Sequence, residues 1–569
     1  MLRFVGISIL TFGLSFPMIV RAAPYPQPVR ARHTMVVTAE REATHVGFAV
    51  LRAGGNAVDA AVAVGYALAV TDPCCGNLGG GGFMIYRPAH GTARFLDFRE
   101  VAPRAARADL YLNRQGQLIP GSSLYSWKAI GVPGTVAGLE LARRLWGTWS
   151  RARLIAPAIR LAQSGFVLTP GDVRLFDDDA GRLAQDPHAV RVFFSHGHPL
   201  GVGVRLRQPT LAKTLERIAR GGARAFYAGS IGRAIVAASR RHGGILTRAD
   251  FLDYRPVVTH PLRCRYRGVD VITAPPPGGG ATLCEMLDIL KGYPLGRYGF
   301  HSVRSVHFIT EAMRFAYADR NTFLGDPAYV HMPLRRLLSR AYARSIRHRI
   351  APMRATPSSE VRPGVSLNPE GHDTTQYSIV DRWGNAVSVT YTLNTFFGTG
   401  FMAPHTGFFL NNEMDDFTTA PGHPNAYALV QGAANDIAPG KRPLSSMTPT
   451  IATRGGHLLI ITGSPGGSTI TTTVLQVILN LVDYHLGAAA AVDAPRFHMQ
   501  WEPDQIDYEP GAFSAQTMDL LRRSGYRLHP GSPWGSRYWG DAETVIVTPS
   551  GWLEGVNDVR YPAGLAQGN

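Results

Sequence analysis

Thr374, Thr375, Thr392 and Thr395 gather around one hairpin in the stretch GHDTTQYSIVDRWGNAVSVTYTLNT. A threonine hydroxyl is a poor nucleophile until a base takes its proton, and no His or Cys stands in these strands to do so. The segments TTQYSIVD and NAVSVTYT flank Arg382-Trp383-Gly384, which suits a three-residue hairpin loop with glycine in the left-handed conformation. In that register Asp381 pairs with Asn385, and Thr374 falls directly opposite Thr392. Directly opposite residues share a face with Cβ atoms within about 5.5 Å, so the hairpin brings two hydroxyls together.

A cut before Thr374 would supply the missing base. The new α-amine, with a pKa near about 8, would sit beside the hydroxyl and take its proton. Thr392 would then orient the nucleophile. Threonine also favours strands for its shape alone, so the hairpin by itself fits two ordinary strand residues equally well. The rest of the chain must decide.

At 569 residues, 45% hydrophobic and 17% charged, the chain can bury a large core. The net charge of +17 is almost all arginine, since Lys128, Lys213, Lys291 and Lys441 are the only lysines. The arginines are scattered and form no basic block, which argues for a solvated basic surface and against nucleic-acid binding. Residues 1–23 read as a cleaved secretory signal: Arg3, an apolar run from Phe4 to Val20 broken by Pro17, then Arg21-Ala22-Ala23. A periplasmic or secreted protein with no stable membrane anchor is expected. Cys74, Cys75, Cys264 and Cys284 are too few for a disulfide framework and are expected to be small buried fillers, the adjacent pair being awkward to bond to itself. No CxxC or HExxH spacing occurs, so neither a metal nor a cofactor is expected.

The positioning elements follow from periodicity. Asn56 opens NAVDAAVAVGYALAV, apolar enough for a buried helix, and TVAGLELARRLWG and SVHFITEAMRFAYADR carry helical spacing. APPPGGG at 274–280 precedes a further helix. The polar segment from about residue 345 to 373 reads as a mobile loop or linker. GNLGGGGF does not read as a dinucleotide fingerprint, because the run before it looks helical.

Taken in order, DPCCGNLGGGGFM, LDFREVAP, GVPGTVAG, YADRNTFLGDP, TTQYSIVD, TYTLNTFFGTG, LNNEMDDF, KRPLSSMTPT, TGSPGGS and APRFHMQW resemble the γ-glutamyltranspeptidase (glutathione hydrolase) family of N-terminal nucleophile hydrolases. The resemblance implies an α+β fold, a four-layer αββα sandwich. It implies self-cleavage before Thr374 into a large subunit, residues 24–373, and a small subunit, 374–569, that stay together as a heterodimer. Asp373 stands where several bacterial relatives have Gln.

Roles carried over from the family are specific. Thr374 would attack the γ-carbonyl of glutathione or another γ-glutamyl compound, and the acyl group would pass to water or to an amino-acid or peptide acceptor. Gly466 and Gly467 match the backbone donors for the oxyanion. Arg99, Ser445 and Ser446 match the groups that bind the substrate α-carboxylate. Glu413, Asp416 and Asn394 match those for the α-ammonium. Tyr427, in PGHPNAYALVQGAANDIAPGKRP, matches a lid tyrosine that screens the acyl site. Two rivals remain. A glutaryl-cephalosporin-type acylase would not need the ammonium-binding set, and a non-catalytic periplasmic binding protein would stay uncut.

Overall fold

The computed structural model describes residues 25–361, 374–420, 422–532 and 539–569. The expected leader at 1–23 and the junction residue Asp373 lie outside these. Two seven-stranded sheets, antiparallel throughout, stack face to face. The first runs in the order Leu565–Gly568, Met35–Thr38, Thr374–Val380, Ala386–Thr392, Gly81–Arg87, Arg94–Asp97, Val257–Thr259. The second runs Val29–Ala31, Leu553–Val556, Thr544–Val547, His457–Thr462, Thr450–Arg454, Val269–Thr273, Leu262–Tyr266.

Strand pleating sorts the side chains into layers. Val37, Phe83, Ile85 and Phe95 of the first sheet meet Ile272, Ile451, Ile461 and Val545 of the second in a shared core. The other face of the first sheet gives Val36, Met84, Tyr377 and Val389 to a second core with the helix Ala57–Thr71. Every residue of that helix is buried, as an apolar sequence on all sides requires, and Asn56 and Asp59 cap its start reciprocally. Beyond the second sheet, the helices Gly280–Leu290, Val303–Phe323 and Thr469–Val482 pack on Val271, Ala452 and Ile460. The result is the expected four-layer αββα sandwich.

The central hairpin departs from this apolar rule. Thr374, Gln376 and Ser378 face the second sheet beside Thr392, Thr390 and Ser388, and all are buried. Hydrogen bonds make this tolerable: Ser388 Oγ donates to the Thr462 carbonyl at 2.9 Å, Ser378 Oγ to the Glu543 carbonyl at 2.7 Å and Thr390 Oγ1 to Gln376 Oε1 at 2.6 Å. The loop closes as expected, with the Asp381 amide 3.1 Å from the Asn385 carbonyl and Gly384 at φ +81°.

The glycine run after the buried helix leads into the strand Gly81–Arg87 beside the hairpin. A β-carbon on Gly80 would stand 1.9 Å from the Thr392 carbonyl oxygen, so only glycine allows this approach.

Two expectations need correction. The cysteines are not separate fillers: Cys264 is bonded to Cys284 and Cys74 to Cys75. Strand Leu262–Tyr266 packs beside helix Gly280–Leu290, and this brings Cys264 and Cys284 to a Cα separation of 5.8 Å. Cys74 and Cys75 lie in the tight reversal closed by amide bonds from Cys75 and Gly76 to the Asp72 carbonyl. The segment read as a loop from 345 also begins inside the helix Arg340–Arg349, and part of it is pinned. Ser358 donates to the Trp501 carbonyl at 2.5 Å and receives the Trp501 indole N–H at 3.0 Å on its own carbonyl. Among the described residues no helix is long and apolar enough to cross a membrane.

Candidate active site

Register sets the first relationship. Thr374 pairs with Thr392, and Thr374 Oγ1 donates to Thr392 Oγ1 at 3.2 Å. Thr392 Oγ1 also accepts the Asn394 amide at 2.8 Å, while its carbonyl accepts from Asn77 Nδ2 at 2.9 Å. The second threonine is therefore held at both ends. Thr375 points to the opposite face of the sheet, and Thr395 is bound to Asn412, so neither shares the pocket.

A narrow pocket opens over Thr374. Thr392, Arg99, Glu413, Asp416, Tyr427, Ser445, Ser446 and Gly467 line it. Gly466 and Asn394 stand just behind its wall, each bonded in sequence or through hydrogen bonds to a lining residue.

Gly466 and Gly467 precede the helix Thr469–Val482 with φ of +117° and +52°. Among the described residues neither amide N–H finds an acceptor, while their carbonyls receive Thr469 and Ile470. Two free donors at a helix N-terminus form a site for negative charge.

Arg99 is fully buried and its guanidinium pairs with Glu413 and Asp416, with Glu100 Oε2 at 3.5 Å. Sequence reasoning separated Arg99 from the acidic pair, whereas the folded chain joins them directly. Burial holds the carboxyls of Glu413 and Asp416 above their ordinary range despite the attraction of Arg99. It pushes Glu100 up to about 7. Three carboxyl groups thus crowd around one guanidinium, and the cluster has an appetite for another cation. Glu413 Oε2 and Asn394 Oδ1 are buried acceptors without a partner.

Opposite them, Arg320 Nη2 donates to Ser446 Oγ at 3.2 Å and its Nε is unpartnered. Ser445 Oγ accepts the Met447 amide at 3.1 Å. Arg320 and Glu100 escaped the sequence reading although both lie inside its quoted motifs, YADRN and DFRE. Arg320 is buried in the last turn of the helix Val303–Phe323, among several other buried charged residues of that helix, so its type and spacing alone did not single it out.

Tyr427 closes the pocket. Its hydroxyl donates to the Asn394 carbonyl at 2.5 Å and its ring covers Gly467. The loop is anchored from below: Asp415 Oδ2 accepts the Ala426 amide at 2.7 Å, and Asn425 Nδ2 donates to Asp416 Oδ1 at 3.3 Å.

Stacked antiparallel sheets between helical layers, with a threonine heading a central strand beside the Gly466-Gly467 turn, have the architecture of an N-terminal nucleophile hydrolase. A sequence model described as Gamma-glutamyltranspeptidase matches residues 43–567. The chain belongs to the γ-glutamyltranspeptidase family. It is 46% identical over 577 aligned residues to a glutathione hydrolase proenzyme of Pseudomonas sp. (strain A14), covering 99% of this chain and 98% of that one. It is 45% identical to the glutathione hydrolase proenzyme of Escherichia coli (strain K12), covering 95% and 93%. Among solved structures, a cephalosporin acylase from Bacillus halodurans superposes with a TM-score of 0.82 at 26% identity, covering 98% of this chain and 99% of the other.

Proposed function

We propose that this chain is the proenzyme of a γ-glutamyltransferase and glutathione hydrolase that cuts itself before Thr374. The observation that carries the reading is the 3.2 Å contact between the Thr374 and Thr392 hydroxyls in a pocket that also holds the Arg99, Glu413 and Asp416 cluster.

Once cut, the Thr374 α-amine accepts the hydroxyl proton as Oγ1 attacks the γ-carbonyl of the donor. The C=O electrons move to oxygen, and the N–H groups of Gly466 and Gly467 stabilise the oxyanion. Collapse expels the donor amine, which receives the proton, and leaves an ester on Thr374. Water or an acceptor amine then attacks that ester, its proton passing through the same α-amine. Arg99, Arg320, Ser445 and Ser446 hold the donor α-carboxylate, and Glu413, Asp416 and Asn394 its ammonium. For this, Arg99 must exchange part of its present ion pairing for the incoming carboxylate.

The unpartnered acceptors Asn394 Oδ1 and Glu413 Oε2 favour a γ-glutamyl donor over the glutaryl donor of an acylase, which carries no ammonium. The leader 1–23 would direct the chain to the periplasm or outside the cell. Intact mass of the purified protein, beside Thr374→Ala, tests the cut, and release of product from γ-glutamyl and glutaryl anilides tests the chemistry. Two fragments meeting at residue 374 and selective γ-glutamyl release are expected. A wild-type chain that stays whole and inert would reject the reading.

A further inference from the structure

The lid is held by more than its own turn. Gln500 Nε2 lies 3.0 Å from the Tyr427 carbonyl, 2.9 Å from that of Ala428 and 3.3 Å from that of Glu502. With the amide nitrogen committed to carbonyls, Gln500 Oε1 must face His498 Nε2, 2.8 Å away, so that nitrogen carries the proton. His498 Nδ1 is then the acceptor for Thr472 Oγ1 at 2.8 Å. Burial drives the His498 pKa down to about 4, which keeps the ring neutral and this tautomer intact at working pH. Both His498 and Gln500 are fully buried.

Each end of this relay lies on an element that lines the pocket. Thr472 belongs to the helix that starts immediately after Gly466 and Gly467. Tyr427 and Ala428 are the crest of the lid, and Ala428 sits at φ +57°, a left-handed conformation that a non-glycine residue keeps only when its surroundings hold it. Its amide bonds to the Asn425 carbonyl from one side, and Gln500 grips its carbonyl from the other.

We propose that Gln500, oriented by His498, is the latch that keeps the Tyr427 lid shut over the acyl site and so sets the division of the acyl group between water and amine acceptors. It is a positioning residue: it touches the lid backbone and not the reacting atoms. This rests on the acyl-transfer reading for its consequence, though not for the latch itself. Releasing the two lid carbonyls leaves the Tyr427 hydroxyl bond to the Asn394 carbonyl and the Asn425 turn to hold the lid, so the ring lifts from Gly467 more often and admits bulk water.

Two variants test it. Gln500→Met keeps the shape and removes both donors, and Gln500→Glu presents acceptors to carbonyls. In the Thr374→Ala background, where no turnover occurs, each is treated with chymotrypsin under native conditions. Cleavage after Tyr427 is expected to accelerate at least tenfold while cleavage elsewhere and the melting midpoint stay near the parent. In the cutting-competent chain, the ratio of hydrolysis to transfer onto a dipeptide is expected to rise at least threefold. That ratio is read from a common acyl-enzyme, so a mere loss of active protein leaves it unmoved. Unchanged cleavage at Tyr427, or equal acceleration at every site, overturns the latch. Faster cleavage at Tyr427 with an unmoved ratio overturns its role in partition. Faster cleavage in a chain whose parent forms no γ-glutamyl product leaves the latch standing and rejects the acyl-transfer reading instead.

Discussion

The ring of Tyr427 lies so close to Gly467 that a β-carbon on that glycine would stand 2.0 Å from Cδ1. The Tyr427 loop and the Gly466-Gly467 turn therefore share one contact surface. Gly467→Ala should displace the tyrosine and strain a backbone at φ +52°. Alanine keeps the backbone N–H but the strain turns it out of line, an effect bounded by the outright loss of one donor, which costs about 10²-fold or more in kcat. Steady-state kinetics on a γ-glutamyl anilide should show a fall within that bound, with a raised KM because the lid no longer seats.

Thr392→Val should separate positioning from packing. Valine fills nearly the same space but removes the partner of Thr374 Oγ1 and the acceptor of the Asn394 amide. Leaving a buried donor unpaired costs about 1–3 kcal/mol. Slower fragment formation on a denaturing gel, by about tenfold or more, and a lower kcat in the matured protein are expected. Maturation at the wild-type rate would remove Thr392 from the nucleophile's surroundings.

Glu100 should give donor binding a pH dependence near neutrality. Burial lifts its carboxyl to about 7 beside Arg99, Glu413 and Asp416. As the pH rises through that value the cluster gains a negative charge and should hold the donor ammonium more tightly, so KM should fall. Glu100→Gln should flatten this limb of the KM profile. The stability effect has the opposite sign. An unfolded chain releases this proton near 4.5 and the folded one near about 7, so folding takes up protons between them. The contribution is most favourable below that window and declines across it as the pH rises, which denaturant midpoints of wild type and Glu100→Gln should reveal.

Cys264 and Cys284 close a loop with a sequence separation of 20 and lie away from the pocket. Replacing both with serine should lower stability by about 3 kcal/mol through the freed unfolded chain, with the anilide activity of the folded protein retained. Denaturant unfolding with and without a reductant checks the first part, and a kinetic assay the second.

Much of this arrangement was legible in residue order because it is local. The Thr374 to Thr392 pairing follows from strand alternation and a three-residue loop, and the buried helix after Asn56 follows from its lack of a polar face. What was not legible depends on distant segments meeting. Arg99 reaches Glu413 across 314 positions, and no periodicity in either stretch announces an ion pair in place of two separate binding groups. Ser358 and Trp501 lie 143 positions apart, so the pinning of a polar, proline-containing stretch could not be read from its composition. The disulfides belong to the same class, since partnership there depends on how a strand is laid beside a helix.

The strand order carries a consequence for the life of the molecule. If the backbone is cut before Thr374, the described residues of the two pieces interleave within both sheets. Met35–Thr38 lies between Leu565–Gly568 and Thr374–Val380, and Val269–Thr273 lies beside Thr450–Arg454. The pieces would be zipped together by backbone ladders as well as by side-chain packing. Cutting would also remove the tether that makes folding a first-order event. A matured molecule, once unfolded, would have to find its other half by collision, so maturation would act as a ratchet: the protein can be assembled from one chain once, and thereafter its persistence depends on how slowly it opens.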